Sequence, residues 1–75
     1  MSDKKEVEIN KMSNPYEKDI LNFLKTNGKC VYGDIIKELK ISATKGQEAI
    51  FSLINKGFIK HKEKSSYIEL NVDLK

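Results

Sequence analysis

Residues 41–59 read ISATKGQEAIFSLINKGFI, and this segment carries the clearest structural pattern in the chain. Its apolar residues recur at helical spacing, at Ile41, Ala49, Ile50 and Leu53. Ser42 stands where a helix N-cap is favoured, and Gly57 stands where a left-handed residue past the C-terminus is favoured. The stretch therefore predicts an amphipathic helix over about residues 43–56, entered through a tight turn and followed by a strand.

An earlier helix begins at Asn14-Pro15-Tyr16-Glu17. Asn14 can cap the helix, and Pro15 suits the first helical position because no amide hydrogen is needed there. Glu17 is spaced to return a capping-box hydrogen bond. The helix is predicted to end at residues 27–28, where Asn-Gly interrupts the pattern.

The remaining segments are short. Residues 29–31 are long enough to pair with a later hairpin as a third strand, and a helix is predicted from residue 32 or 33 to 39. A hairpin follows, with strands at 58–62 and 67–71 and its tip at 63–66. The predicted order is α-β-α-α-β-β, an α+β fold of three helices and a small antiparallel hairpin.

The chain is predicted to hold one domain, at residues 14–71. Residues 1–13 are polar and mixed in charge, which favours a flexible N-terminal arm. Val7 and Ile9 alternate with acids, so a short strand or a docking arm is the alternative reading of this segment. Residues 72–75 are predicted to be a short tail.

Composition narrows the classes of function. The 75 residues carry a net charge of +3, and all fourteen basic residues are lysine, which permits contact with nucleic acid without requiring it. One cysteine, Cys30, and one histidine cannot form a disulfide or a four-ligand zinc site, so we predict no metal and no cofactor. We expect no membrane span, a cytoplasmic location, and no enzyme activity, because no phosphate loop or catalytic set is visible.

The spacing of Ile41, Ile50, Leu53 and Gly57, followed by Phe58-Ile59-Lys60, resembles the winged helix-turn-helix superfamily. Small DNA-binding regulators match best. The chain is also similar to the twenty-fifth small-subunit ribosomal protein, which binds ribosomal RNA, and it shares an aromatic at Phe51 with left-handed-DNA binders, without their wing prolines and tryptophan. Gly46 departs from the superfamily pattern, and close helix packing there would explain a glycine.

This resemblance implies that the helix at 43–56 enters the major groove of DNA and that the hairpin, the wing, follows the backbone. In such a complex Gln47 would pair with adenine, Lys45 with guanine or phosphate, and Glu48 with cytosine. The full set of implied nucleic-acid contacts is Thr44, Lys45, Gln47, Glu48 and Ser52 on the helix and Lys60, His61, Lys62 and Lys64 on the wing. The alternative for the helix residues and for the wing residues is that they form a solvated surface without contacting nucleic acid.

Three further interpretations stay open. The partner is predicted to be double-stranded DNA, with RNA or the ribosome as the alternative, or a protein if this winged helix binds no nucleic acid. Phe51 and Ile54 either form a homodimer or partner surface or are buried beneath the wing or the N-terminal arm. The backbone amides near Ser13, Asn14 and Lys18 are candidates for phosphate contacts.

Overall fold

The computed structural model describes residues 5–62 and 64–74. Its elements are β1 (Lys5–Val7), a 3-10 turn (Ile9–Lys11), α1 (Pro15–Asn27), β2 (Lys29–Val31), α2 (Tyr32–Leu39), α3 (Ala43–Asn55), β3 (Ile59–His61), β4 (Tyr67–Leu70) and β5 (Val72–Leu74). The order predicted for residues 14–71 is confirmed. Within the described residues, no helix combines the length and apolarity that crossing a membrane requires.

The helix ends are specified by the residues that the sequence singled out. The Asn14 side chain accepts hydrogen bonds from the amides of Tyr16 and Glu17, at 2.9 and 3.3 Å. Ser42 accepts one from the amide of Lys45 at 3.2 Å. Gly28, which follows α1, has a φ of 84°, a conformation that glycine adopts at little cost. Side-chain caps therefore fix where α1 and α3 begin, and a glycine fixes where α1 ends.

Three strands form an antiparallel sheet in the order β2-β4-β3. The register places Cys30 and His61 on either side of Ile68, and Lys29 and Lys60 on either side of Glu69. Because side chains alternate between the faces of a sheet, Cys30 and Ile68 share the face that packs on the helices. The predicted hairpin and third strand are confirmed, although Glu63, predicted at the hairpin tip, lies outside the described residues.

The main core lies between the helices and the inner face of this sheet. Its buried residues are Ile20, Leu21, Leu24, Cys30, Ile35, Ala49, Ile50, Leu53, Ile59 and Ile68. They come from all three helices and all three strands of the sheet. This shared core sets the orientation of α3 relative to the hairpin that follows it.

The ends of the chain differ from the expectation of a flexible arm and a free tail. β1 pairs with β5 in a parallel two-stranded sheet, with Lys5 opposite Val72 and Val7 opposite Leu74. Val7 and Val72 are both buried. The strand that Val7 and Ile9 allowed as an alternative is therefore present at residues 5–7, and the predicted tail supplies its partner.

The predictions for Gly46 and Glu17 have opposite outcomes. The prediction of close packing at Gly46 is confirmed, since a Cβ there would overlap Ile36 Cδ1 of α2 and lie 3.4 Å from Ile41 Cδ1. The capping box predicted for Glu17 is wrong. Glu17 is buried and its carboxylate binds Lys56 Nζ at 2.8 Å, because burial against α3 favours the cation over a return bond to the helix end.

Candidate nucleic-acid interface

The outward side of α3 is a continuous exposed stripe. It consists of Thr44, Gln47, Glu48, Phe51 and Asn55, all of which are exposed. Their spacing of three and four residues places them on one side of the helix. The buried residues Gly46, Ala49, Ile50 and Leu53 occupy the other side. Three of the predicted contacts, Thr44, Gln47 and Glu48, thus lie together and face solvent.

Lys45 lies at one margin of this stripe. Its Nζ is 4.0 Å from Glu48 Oε2, and both side chains are exposed, so the ion pair is weak and leaves each group able to bind elsewhere. Lys45 and Glu48 also line a cleft of about 510 Å³ between α3 and the start of α1, which includes Asn14 and Tyr16. The lysine is therefore placed between the outward stripe and α1.

Ser52 was predicted to contact nucleic acid, and the structure places it differently. It is half-buried on the α1 side of α3, and its hydroxyl donates to Glu17 Oε2 at 3.5 Å. The same carboxylate accepts from Lys56 Nζ. Ser52 thus belongs to a polar contact that ties the two helices together. The helical period had placed it off the core stripe, and only its neighbour across the helix interface reveals its role.

The start of α1 was a further candidate for phosphate contacts. The amides of Tyr16 and Glu17 donate to the Asn14 side chain, and the amide of Lys18 donates to the Asn14 carbonyl at 3.1 Å. Pro15 has no amide hydrogen. The amides of Tyr16, Glu17 and Lys18 are therefore already satisfied, and the Asn14 side chain acts as the cap of α1.

The structure decides between the two interpretations of Phe51. This residue is 57% exposed at the centre of the outward stripe and is not buried beneath the wing or the arm. Ile54 is half-buried and packs against the main core. An aromatic ring open to solvent between Gln47 and Asn55 adds an apolar contact point to an otherwise polar helix face.

The wing presents its cations as predicted, with one difference. Lys60, His61 and Lys64 are exposed, and Lys62 is half-buried. Near the tip the two sides of the hairpin are held together by a hydrogen bond of 2.8 Å, which the Lys62 amide donates to the Tyr67 carbonyl. Lys64, at the tip, adopts a left-handed backbone conformation with a φ of 59°. These side chains therefore project from β3 and from the tip of a short, hydrogen-bonded hairpin.

Neither a metal site nor a reactive thiol accounts for this surface. Among the described residues, no group of His, Cys, Asp and Glu side chains is arranged to hold a metal ion. Burial raises the pKa of the Cys30 thiol, and the nearby Asp34 carboxylate raises it further. A raised pKa keeps the thiol protonated and weakly nucleophilic, and Cys30 is a buried residue of the main core.

Residues 13–60 match the family described as winged helix-turn-helix DNA-binding. The Zalpha domain of Carassius auratus PKZ, solved in complex with Z-DNA, is similar in structure, with a TM-score of 0.66 and 21% identity over 73% of this chain and 90% of that one. The Zbeta domain of human DAI, studied for its binding modes to B- and Z-DNA, has a TM-score of 0.70 and 22% identity over 81% and 90%. No curated protein sequence matches. The family match covers more than half of the chain, which therefore belongs to the winged helix-turn-helix DNA-binding family.

Proposed function

We propose that this domain is a small transcriptional regulator that places α3 in the major groove of duplex DNA and its wing on the adjacent backbone. The observation that carries the proposal is the exposed polar run Thr44, Gln47 and Glu48 on the outward side of α3. A major groove admits an α-helix, and amide and carboxylate side chains there can distinguish base pairs by hydrogen bonding.

The cations are distributed as this arrangement requires. Lys45 lies at the edge of the α3 stripe, and Lys60 and Lys64 are exposed on the wing. Lysines in such positions bind phosphates on either side of the groove and make affinity fall as salt rises. In this proposal Gln47 reads a base, Lys45 reads guanine or a phosphate, and the wing lysines hold the register.

Left-handed DNA is a second candidate, and Phe51 is the observation that favours it. Phe51 is 57% exposed on the outward stripe, and both similar structures are of domains studied with Z-DNA. An exposed ring can pack against a sugar or a base where a Z-form duplex brings them to its convex surface. This candidate predicts a large effect of Phe51→Ala, while the major-groove proposal predicts a large effect of Gln47→Ala.

The test is a salt titration of binding to three probes: a random B-form duplex, an alternating CG duplex and a double-stranded RNA. We expect Lys45→Glu to lower the slope of log K against log salt by about 1, the contribution of one phosphate contact. Lys25→Glu is the matched control, because Lys25 is an exposed lysine near the opposite end of α1. On a selected DNA site, Gln47→Ala should remove about 1–3 kcal/mol of discrimination at one base pair.

Each rival predicts a different pattern. Equal curves for Lys45→Glu and Lys25→Glu on the DNA probes would show that α3 does not enter the groove. Preference for RNA would favour a ribosomal role, and conversion of the CG duplex to a left-handed circular dichroism spectrum, lost in Phe51→Ala, would favour Z-DNA. A protein-binding winged helix would bind none of the three probes.

A further inference from the structure

The face of the three-stranded sheet that points away from the helices carries an aromatic ring among lysines. We call it the outer sheet face, and it consists of Lys29, Val31, Lys60, Lys62, Tyr67 and Glu69. Strand alternation puts these residues opposite the buried Cys30, Ile59 and Ile68. Lys29, Lys60 and Tyr67 are exposed, which shows that the face is open to solvent.

The pairing register arranges these side chains in two rows. In one row Glu69 lies between Lys29 and Lys60. In the other, Tyr67 lies between Val31, its partner on β2, and Lys62, whose amide donates to the Tyr67 carbonyl at 2.8 Å. The tyrosine ring is thus bordered on both sides by neighbouring strands.

Tyr67 is 42% exposed, and Lys29 Nζ lies 4.9 Å from the centroid of its ring. This cation–π contact holds a positive charge over an aromatic surface that solvent still reaches. Charge on the outer sheet face is unbalanced, with three lysines and one glutamate. A cationic sheet with an accessible ring is the combination that binds unpaired nucleotides, since bases stack on the ring and lysines neutralise the phosphates.

We propose that the outer sheet face is a second nucleic-acid site that binds a single strand, with a base stacked on Tyr67 and the flanking phosphates on Lys29, Lys60 and Lys62. This site is on the opposite side of the sheet from the core that holds α3. It shares Lys60 with the wing contact proposed above but uses neither Lys45 nor Gln47, so variants at Tyr67 and at Lys45 test the two sites separately. Such a site would let the domain hold an unpaired strand next to a duplex.

The test uses fluorescent oligothymidine and oligouridine of about 12 nucleotides, within the usual footprint of a small stacking surface. Binding of the full chain is followed by anisotropy for wild type, Tyr67→Ala, Tyr67→Phe and Lys29→Gln. We expect Tyr67→Ala to weaken binding by roughly 5- to 100-fold, the loss of one stacked base. Tyr67→Phe should stay within about twofold, because the ring is kept. The two oligonucleotides show whether the strand is DNA or RNA.

Tyr16→Ala is the matched control, because Tyr16 is 37% exposed on α1 and lies outside this face. Urea unfolding of each variant separates loss of binding from loss of folding, and Tyr67→Phe and Lys29→Gln test the site even if Tyr67→Ala is unstable.

Equal affinities for Tyr67→Ala and Tyr16→Ala would overturn the proposal. So would polyglutamate competing as well as the oligonucleotides, because it would show that charge alone is recognised. A loss in Lys45→Glu larger than that in Tyr67→Ala would assign single-strand binding to α3 instead.

Discussion

Gly46 shows how one missing methyl group sets the packing of α3 on α2. A Cβ at this position would overlap Ile36 Cδ1 and lie 3.3 Å from Ile36 Cγ1. A glycine within a helix costs about 0.5–1 kcal/mol relative to alanine, so the chain gives up helix stability at this point. The compensation is the close approach of Ile36, a half-buried side chain, to the backbone of α3.

We expect Gly46→Ala to be less favourable than Gly33→Ala by about 0.5–1 kcal/mol. Both changes add helix propensity, but only alanine at Gly46 requires Ile36 Cδ1, the end of a flexible and half-buried side chain, to move. Gly33 is the matched control, because a Cβ there meets nothing within 4 Å. Urea unfolding gives both free energies. In an Ile36→Val background, which lacks Cδ1, Gly46→Ala should recover most of its deficit; an unchanged deficit would contradict the packing explanation.

At the scale of whole elements, the contact between α1 and α3 includes a partly buried ion pair. Glu17 on α1 has a side chain only 5% exposed, while that of Lys56, just past α3, is 48% exposed. The two partners therefore face different environments. A Lys56 ammonium left alone can be hydrated by solvent, but a Glu17 carboxylate left alone stays desolvated.

This asymmetry predicts that Lys56→Met destabilises the domain more than Glu17→Gln does. We expect losses of about 2 kcal/mol and about 1 kcal/mol, because only the first leaves a buried charge without its cation. Lys45→Met is the matched control, since it breaks the exposed pair with Glu48 and should change stability by less than about 0.5 kcal/mol. Urea unfolding measures all three, and the explanation fails if Lys56→Met and Lys45→Met cost the same.

At the scale of the whole molecule, the two ends of the chain are joined by the β1–β5 sheet. Two-stranded sheets are at best marginally stable on their own. Val7 and Val72 are buried outside the main core cluster, while Ile9, Met12 and Leu74 pack against that cluster and connect it to the two strands. The β1–β5 sheet is thus a small addition to the main core, and each of its two strands depends on pairing with the other.

Ending the chain at Asn71 should therefore release β1. We expect the amides of residues 5–7 to lose protection from hydrogen exchange, while those of α1 and α3 keep most of theirs, because the main core is intact. Asp73→Ala is the control, since Asp73 is exposed and its backbone pairing with Glu6 needs no side chain. Unchanged protection of Val7 in the shortened chain would show that β1 is held by something other than β5.

The helices, their ends and most of the core could be predicted from the sequence, because caps, glycines and apolar spacing act over three or four residues. Asn14, Ser42 and Gly28 work in this way, and the outward placement of Thr44 and Gln47 follows from the same period. Tertiary structure alone decided the features that join distant residues. These are the β1–β5 pairing, the Glu17–Lys56 ion pair, the exposure of Phe51 and the approach of Lys29 to Tyr67. The physical reason is that each depends on which surfaces the shared core brings together, and no local periodicity encodes that.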